Sequence, residues 1–171
     1  RFGDLQVHAD GRARGDFIAA VVRGRLQPGA PYELSALERG LLLANDLPGI
    51  RVDGVLQAGT GPGRSDLVLQ VEDLPLLSGS LSLGNDGSRY TGRTQGIGRL
   101  HLNNPSGYGD QVGITAMRGN DLDYRGASYS LPLGSRGLRG NLGYTALRYR
   151  LGKEFSLLDA IGSSRMHKAG V

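Results

Sequence analysis

The chain has 171 residues, 39% of them hydrophobic, with 29 glycines, 7 prolines, no tryptophan and no cysteine. No run of 18 apolar residues occurs, which excludes a transmembrane helix, and glycine at this level without collagen periodicity or low complexity points to turn-rich β-structure. The net charge of +4 comes from basic residues scattered along the chain, so there is no concentrated basic footprint of the kind that binds nucleic acid. Starting at Arg1 without a methionine or an apolar leader, the sequence reads as an internal fragment.

The first 74 residues predict a small α+β module. Leu5 to Ala9 alternates as a short strand, and Asp16 to Leu26 carries Phe17, Ile18, Val21 and Val22 at helical spacing before a Pro28-Gly29 stop. A second helix is expected from Ser35, which forms a capping box with Glu38, with Leu34, Leu37, Leu41 and Ala44 as its buried stripe. Asn45-Asp46-Leu47-Pro48-Gly49 has the chemistry of a turn. Strands at Ile50 to Gln57 and Asp66 to Glu72 complete a β-α-α-β-β order, and Asp73-Leu74-Pro75 is the expected joint to residues 75–171.

From Ser78 to Ala146 one unit recurs five times: some ten residues of alternating apolar and polar side chains, closed by a Gly/Asn/Asp/Pro turn. Leu81 and Leu83, then Leu100 and Leu102, then Val112, Ile114 and Ala116 carry the apolar phase. Ala127, Tyr129, Leu131 and Leu133, then Leu138, Leu142, Tyr144 and Ala146 continue it. A period of two puts these side chains on one face of a sheet. Repeated at this length, the pattern is that of antiparallel transmembrane β-barrel strands, apolar towards lipid and polar towards the lumen. Asn85–Gly92 and Arg118–Tyr124 are expected as polar loops at one end, Asn103–Gly109 and Gly134–Gly137 as tight turns at the other. At Leu147 the apolar phase flips to Leu147, Tyr149 and Leu151, as if the strand leaves the membrane. Lys153 to Ser164 then reads as a loop and Arg165 to Val171 as the start of a sixth strand. About five and a half strands cannot close a barrel, so a longer functional protein is expected.

Leu37-Glu38-Arg39 with Leu43-Ala44-Asn45-Asp46-Leu47-Pro48-Gly49-Ile50-Arg51-Val52 resembles the second POTRA domain of two-partner secretion transporters. The resemblance runs through Gly63–Leu67, Asn85–Gly92, Leu102–Asp110, Leu122-Asp123-Tyr124 and Ser128–Gly134. It implies two periplasmic POTRA domains before an outer-membrane barrel of about 16 strands, of which this chain would hold about five and a half. It also implies export of one large exoprotein, an adhesin or haemolysin. The family's first POTRA domain and the Val-Arg-Gly-Tyr tip of its lumenal loop would lie outside residues 1–171.

Function is therefore expected from binding and geometry rather than catalysis: no enzyme, no cofactor, no metal, no small-molecule substrate. The partners expected are an unfolded exoprotein and outer-membrane lipid. The exoprotein would add as a strand to the module's sheet edge at Ile50 to Gln57, with Val52, Val55 and Leu56 as contact residues. A charge or proline at Asp53 or Gln57 is expected to weaken that binding while the module stays folded. Arg99, His101, Asn103, Gln111, Arg139 and Asn141 would line a polar lumen. Gly59–Gly63 is glycine-rich but lacks a following Lys-Ser/Thr and opens onto a strand, unlike a phosphate loop. His8, His101 and His167 lack ligand spacing, and Asp66 and Glu72 share a strand face without a partner base. The two helices could pass for a DNA-binding helix pair, which the five following strands do not fit. Two rival functions remain: an outer-membrane insertase of the same superfamily, and a soluble surface β-sandwich adhesin.

Overall fold

The structure is a computed structural model that describes residues 2–24, 26, 33–59, 61–85, 93–150 and 161–171. Its elements run β1 (Phe2–Ala9), α1 (Gly15–Arg23), α2 (Leu34–Asn45), β2 (Ile50–Ala58) and β3 (Ser65–Asp73). Six more strands follow: β4 (Leu77–Gly84), β5 (Gln95–Asn103), β6 (Gln111–Gly119), β7 (Leu122–Pro132), β8 (Arg139–Arg150) and β9 (Ile161–Gly170). Two compact units result. One holds Arg1–Leu76 together with Asn103–Gln111 and Leu131–Gly140, and the other holds Leu77–Leu102, Val112–Ser130 and Asn141–Val171.

In the first unit a three-stranded sheet has the order β1-β3-β2, with β1 parallel and β2 antiparallel to β3. Both helices cover one face, α1 against β1 and α2 against β2. The apolar residues meet there: Ile18, Val21 and Val22 of α1, Leu37 and Ala44 of α2, and Leu5, Ile50, Val52, Leu67 and Leu69 of the strands form one buried core. The helical spacing read from the sequence thus places α1 correctly, although α1 ends at Arg23 rather than Leu26. The Pro28-Gly29 stop lies outside the described residues.

The expected capping box does not form. Glu33, extended at φ −98° and ψ 106°, is the cap of α2 and gives no side-chain hydrogen bond. Ser35 is already the second helical residue, so its hydroxyl cannot serve the first-turn N–H groups from outside. Leu34 is 60% exposed; the buried stripe is instead Leu37, Gly40 and Ala44, with Leu41 packed beside it. Gly40 belongs because α1 lies close: a Cβ there would come within 3.3 Å of the Val22 backbone.

Two further segments complete this unit. The 104–110 turn, between β5 and β6, packs on α1: Arg14 N donates to Gly107 O at 3.0 Å, and Tyr108 meets Phe17 edge-on at 5.5 Å between ring centres. The Arg14 guanidinium lies 4.6 Å over the Tyr108 ring. Within the turn Asn104 and Asp110 are buried, Asn104 Oδ1 accepting from Gly109 N and Asp110 Oδ1 from Ser106 N and Oγ. Gly109 has φ +75°, and a Cβ on it would come within 2.8 Å of Leu47; only glycine combines that backbone with that approach. At the end of β3, the Asp73 carboxylate accepts from Arg12 N and Ala13 N, and Arg12 Nη2 donates to Leu74 O.

The second unit is built on consecutive pairing, β4-β5-β6-β7-β8-β9. In the antiparallel β4–β5 pair, Leu77, Leu81 and Leu83 share a face with Leu100 and Leu102. Ser78, Ser80 and Ser82 share the opposite face with His101, Arg99 and Ile97. The two-residue period therefore sorts the side chains as read from the sequence. Two connections differ from expectation. Between β6 and β7 only Asn120 and Asp121 intervene, because Arg118, Gly119 and Leu122 to Tyr124 are strand residues. After β8 the next strand begins at Ile161, where a loop to Ser164 was expected: Leu147 pairs with Ser164 and Arg150 with Ile161. Backbone pairing is indifferent to the polarity of Ser163 and Ser164, so the hairpin continues past the last apolar residue. Residues 86–92 and 151–160, which hold most of the other two expected loops, lie outside the described residues.

The candidate site: a partly masked sheet edge and a polar sheet face

In an antiparallel pair, alternate residues turn both backbone groups to the same side. Gly49 O accepts from Leu74 N at one end of the β2–β3 pair, and Gly59 N donates to Arg64 O at the other. These bonds fix Arg51, Asp53, Val55 and Gln57 as the residues bonded to β3. Ile50, Val52, Gly54, Leu56 and Ala58 then present their N–H and C=O to the free edge.

That edge is partly occupied. The Asn45 amide, at the end of α2, accepts from Val52 N at 2.9 Å and donates to Val52 O at 2.8 Å, standing in for a neighbouring strand. The open stretch is thus Gly54 to Ala58, all exposed. Asn45 is a neighbour of the candidate edge that sequence reading missed: an asparagine after a helix signals a turn, and nothing local says that its amide reaches seven residues on.

The three expected contact residues are not one surface. Val52 is 2% exposed and lies in the core, while Val55 and Leu56 are 49% and 46% exposed. Val52 and Leu56 point towards the helices, as does Gly54, where a Cβ would meet Leu41 at 3.2 Å. Val55 points to the opposite face. The geometry also moves the informative substitution. A proline at Asp53 or Gln57 removes a bond to β3 and attacks the sheet itself, whereas at Leu56 it removes an N–H on the free edge.

Of the six residues expected on the polar face, three gather at the turn end of the strands. Gln111 Nε2 donates to Asn103 Oδ1 at 2.8 Å, Asn103 Nδ2 to Pro75 O at 3.2 Å, and Arg139 Nη2 to Gly109 O at 3.1 Å. These side chains tie strand ends and a turn together. Arg99 and His101 lie opposite Ser80 and Ser78. The His101 ring reaches over Gly113, where a Cβ would come within 3.3 Å of Nδ1 and 2.7 Å of Ser128 Oγ, so the glycine makes room for both. Asn141 is exposed, opposite Gly170.

The remaining polar groups have local roles. Asp66 Oδ1 accepts from Asp4 N at 2.8 Å, and Glu72 pairs with Arg51 at 3.2 Å on an exposed surface. His167 lies against Tyr144, 5.0 Å between ring centres. Among the described residues no group of three or more potential ligands could hold a metal.

Residues 63–171 match the family model described as haemolysin secretion/activation protein ShlB/FhaC/HecB. The chain is 31% identical over 130 residues to the heme/hemopexin transporter protein HuxB of Haemophilus influenzae strain 86-028NP, covering 75% of this chain and 23% of HuxB. It is 29% identical over 150 residues to the outer membrane transporter CdiB of Dickeya dadantii strain 3937, covering 82% and 26% of the two. The chain thus spans about a quarter of the length of these curated relatives. Among solved structures it superposes on BamA from Haemophilus ducreyi lacking POTRA domains 1–3 with a TM-score of 0.69 at 16% identity, covering 98% of this chain and 31% of that one. On CdiB from Escherichia coli the TM-score is 0.63 at 23% identity, covering 88% and 32%. At these identities the two structures speak to the fold alone.

Proposed function

The chain belongs to the haemolysin secretion/activation family ShlB/FhaC/HecB, and on that premise we propose that it is part of a two-partner secretion transporter of the outer membrane. Residues 1–74 are its periplasmic POTRA domain and residues 75–171 the opening strands of its barrel. The observation that carries this reading is the β4–β5 register, which gathers Leu77, Leu81, Leu83, Leu100 and Leu102 on one exposed face and serines with Arg99, His101 and a single isoleucine, Ile97, on the other. A sheet with one face for hydrocarbon and one for water is what a membrane barrel requires.

The client is a single large exoprotein, received unfolded. An extended segment of it adds beside β2 along Gly54 to Ala58, where backbone groups point outward, with Leu56 offering an apolar contact on the helix side. Beyond Gly54 the Asn45 amide stops the added strand at Val52. The client then passes along the polar face as a solvated chain, and folding outside the cell gives the movement direction. The relationship to BamA raises a second reading, insertion of other barrels into the membrane; it rests on fold likeness alone.

Deleting the full-length gene in its native Gram-negative host separates the two. Loss of the exoprotein encoded beside it, with unrelated barrel proteins at normal levels, is the expected result. A general fall in outer-membrane barrels would instead make the protein an insertase, and no change in either would return it to the soluble adhesins.

A further inference from the structure

The apolar face of the second sheet changes character beyond Tyr144. Arg150 N donates to Asp121 O at 2.9 Å, and stepping back along this pair sets Arg148 opposite Asp123 and Ala146 opposite Arg125. On its other side β8 sets Arg148 opposite Ser163 and Ala146 opposite Arg165. Directly opposed residues share a face, so three guanidinium groups surround one small side chain, Ala146. A concavity of about 360 Å³ opens there, lined among others by Tyr144, Arg125, Arg148, Ser163 and Arg165. Its one carboxylate, Asp123, is engaged by Arg125 through two bonds, Nε to Oδ1 at 3.1 Å and Nη2 to Oδ2 at 3.2 Å. Arg148 and Arg165 form no ion pair among the described residues.

We propose that this concavity binds a phosphate group of outer-leaflet lipopolysaccharide. The proposal rests on the barrel reading above. From Leu138 to Ala146 a tilted strand rises about 20–25 Å, the height of a barrel's apolar band. Arg125 and Arg165 sit level with the last residue of that band and Arg148 two residues past it, at the strand ends remote from the tight turns, where lipid head groups begin. Arginine forks match phosphate oxygens in a bidentate manner, and the Ser163 hydroxyl adds a donor. Three exposed arginines against one carboxylate leave a surplus of two positive charges, which favours an anion, and in this position a membrane lipid supplies it.

The test uses the full-length protein in detergent micelles, titrated with bis-phosphorylated lipopolysaccharide and with the same glycolipid stripped of phosphate. Wild-type protein is expected to bind the phosphorylated form about tenfold more tightly or better. The double variant Arg148→Gln/Arg165→Gln loses that preference, Arg148→Lys/Arg165→Lys keeps most of it, and neither phosphatidylglycerol nor millimolar inorganic phosphate displaces the glycolipid. Equal binding of the two glycolipids by the wild type, or displacement by either competitor, overturns the proposal. Outer-membrane fractionation and heat-modifiable gel migration are read on the same samples. A protein without either property overturns the barrel reading as well, whereas a genuine barrel without phosphate preference overturns this inference alone.

Discussion

The two units handle the same residue type in opposite ways. In the first, leucines at 67 and 69 of β3 are fully buried beneath two helices; in the second, Leu81 and Leu83 are 80% and 82% exposed. The buried hydrophobic side chains of the described residues all fall in the first unit, in Leu5 to Leu69. Leucine alternation alone does not distinguish these cases. What does is the supply of a second layer: β1, β2 and β3 share their stretch of chain with two amphipathic helices, whereas among the described residues from β4 to β9 there is no helix. Among the described residues no second layer covers the apolar face of β4 and β5, and the proposed barrel would give it lipid instead.

Single substitutions should break this contrast in order of size. Leu69→Ala leaves a cavity in a packed core, and the first unit should lose about 2–5 kcal/mol of stability, read from its urea midpoint. Leu81→Arg, on an exposed position, should cost little in a water-facing sheet but about 2–4 kcal/mol in a bilayer, read as the heat-modifiable fraction after refolding into lipid vesicles. An unchanged fraction would argue against lipid on that face. Asn45→Ala removes two bonds to Val52 and should cost about 1–2 kcal/mol. It also lengthens the open edge, so an exoprotein segment should bind more tightly in a fluorescence titration. Leu56→Pro should instead weaken that binding by about tenfold while the stability of the unit stays within about 0.5 kcal/mol; equal affinity would remove strand addition at this edge.

Much of this was legible in the chain because periodicity is local. Val112, Ile114 and Ala116, or Ile18, Val21 and Val22, declare their face within one strand or two helical turns. The capping box failed for a related reason: Ser35 and Glu38 have the right spacing, but the pattern cannot say that the cap lies two residues earlier, at Glu33. The other missed features are contacts between elements. Asn45 serves Val52 across the end of α2, and Gly107 accepts from Arg14 across 93 residues of sequence. Asn103, Gln111 and Arg139 look like lumen polarity in a period-two reading. Their bonds to Pro75 O, to each other and to Gly109 O depend on turns that only tertiary structure brings together. The basic concavity around Ala146 is likewise invisible in a linear string, because its arginines come from three strands.

The proposed lipid cover of the second unit is tested most directly at β4. The sequence contains no cysteine, so single cysteines at Ser80, Leu81, Ser82 and Leu83 of the full-length protein can be probed with a water-soluble maleimide in intact outer membranes. Labelling at Ser80→Cys and Ser82→Cys, with protection at Leu81→Cys and Leu83→Cys, is the predicted result. Equal labelling at all four positions, or protection of the serine positions with labelling of the leucine ones, would contradict a lipid-covered leucine face.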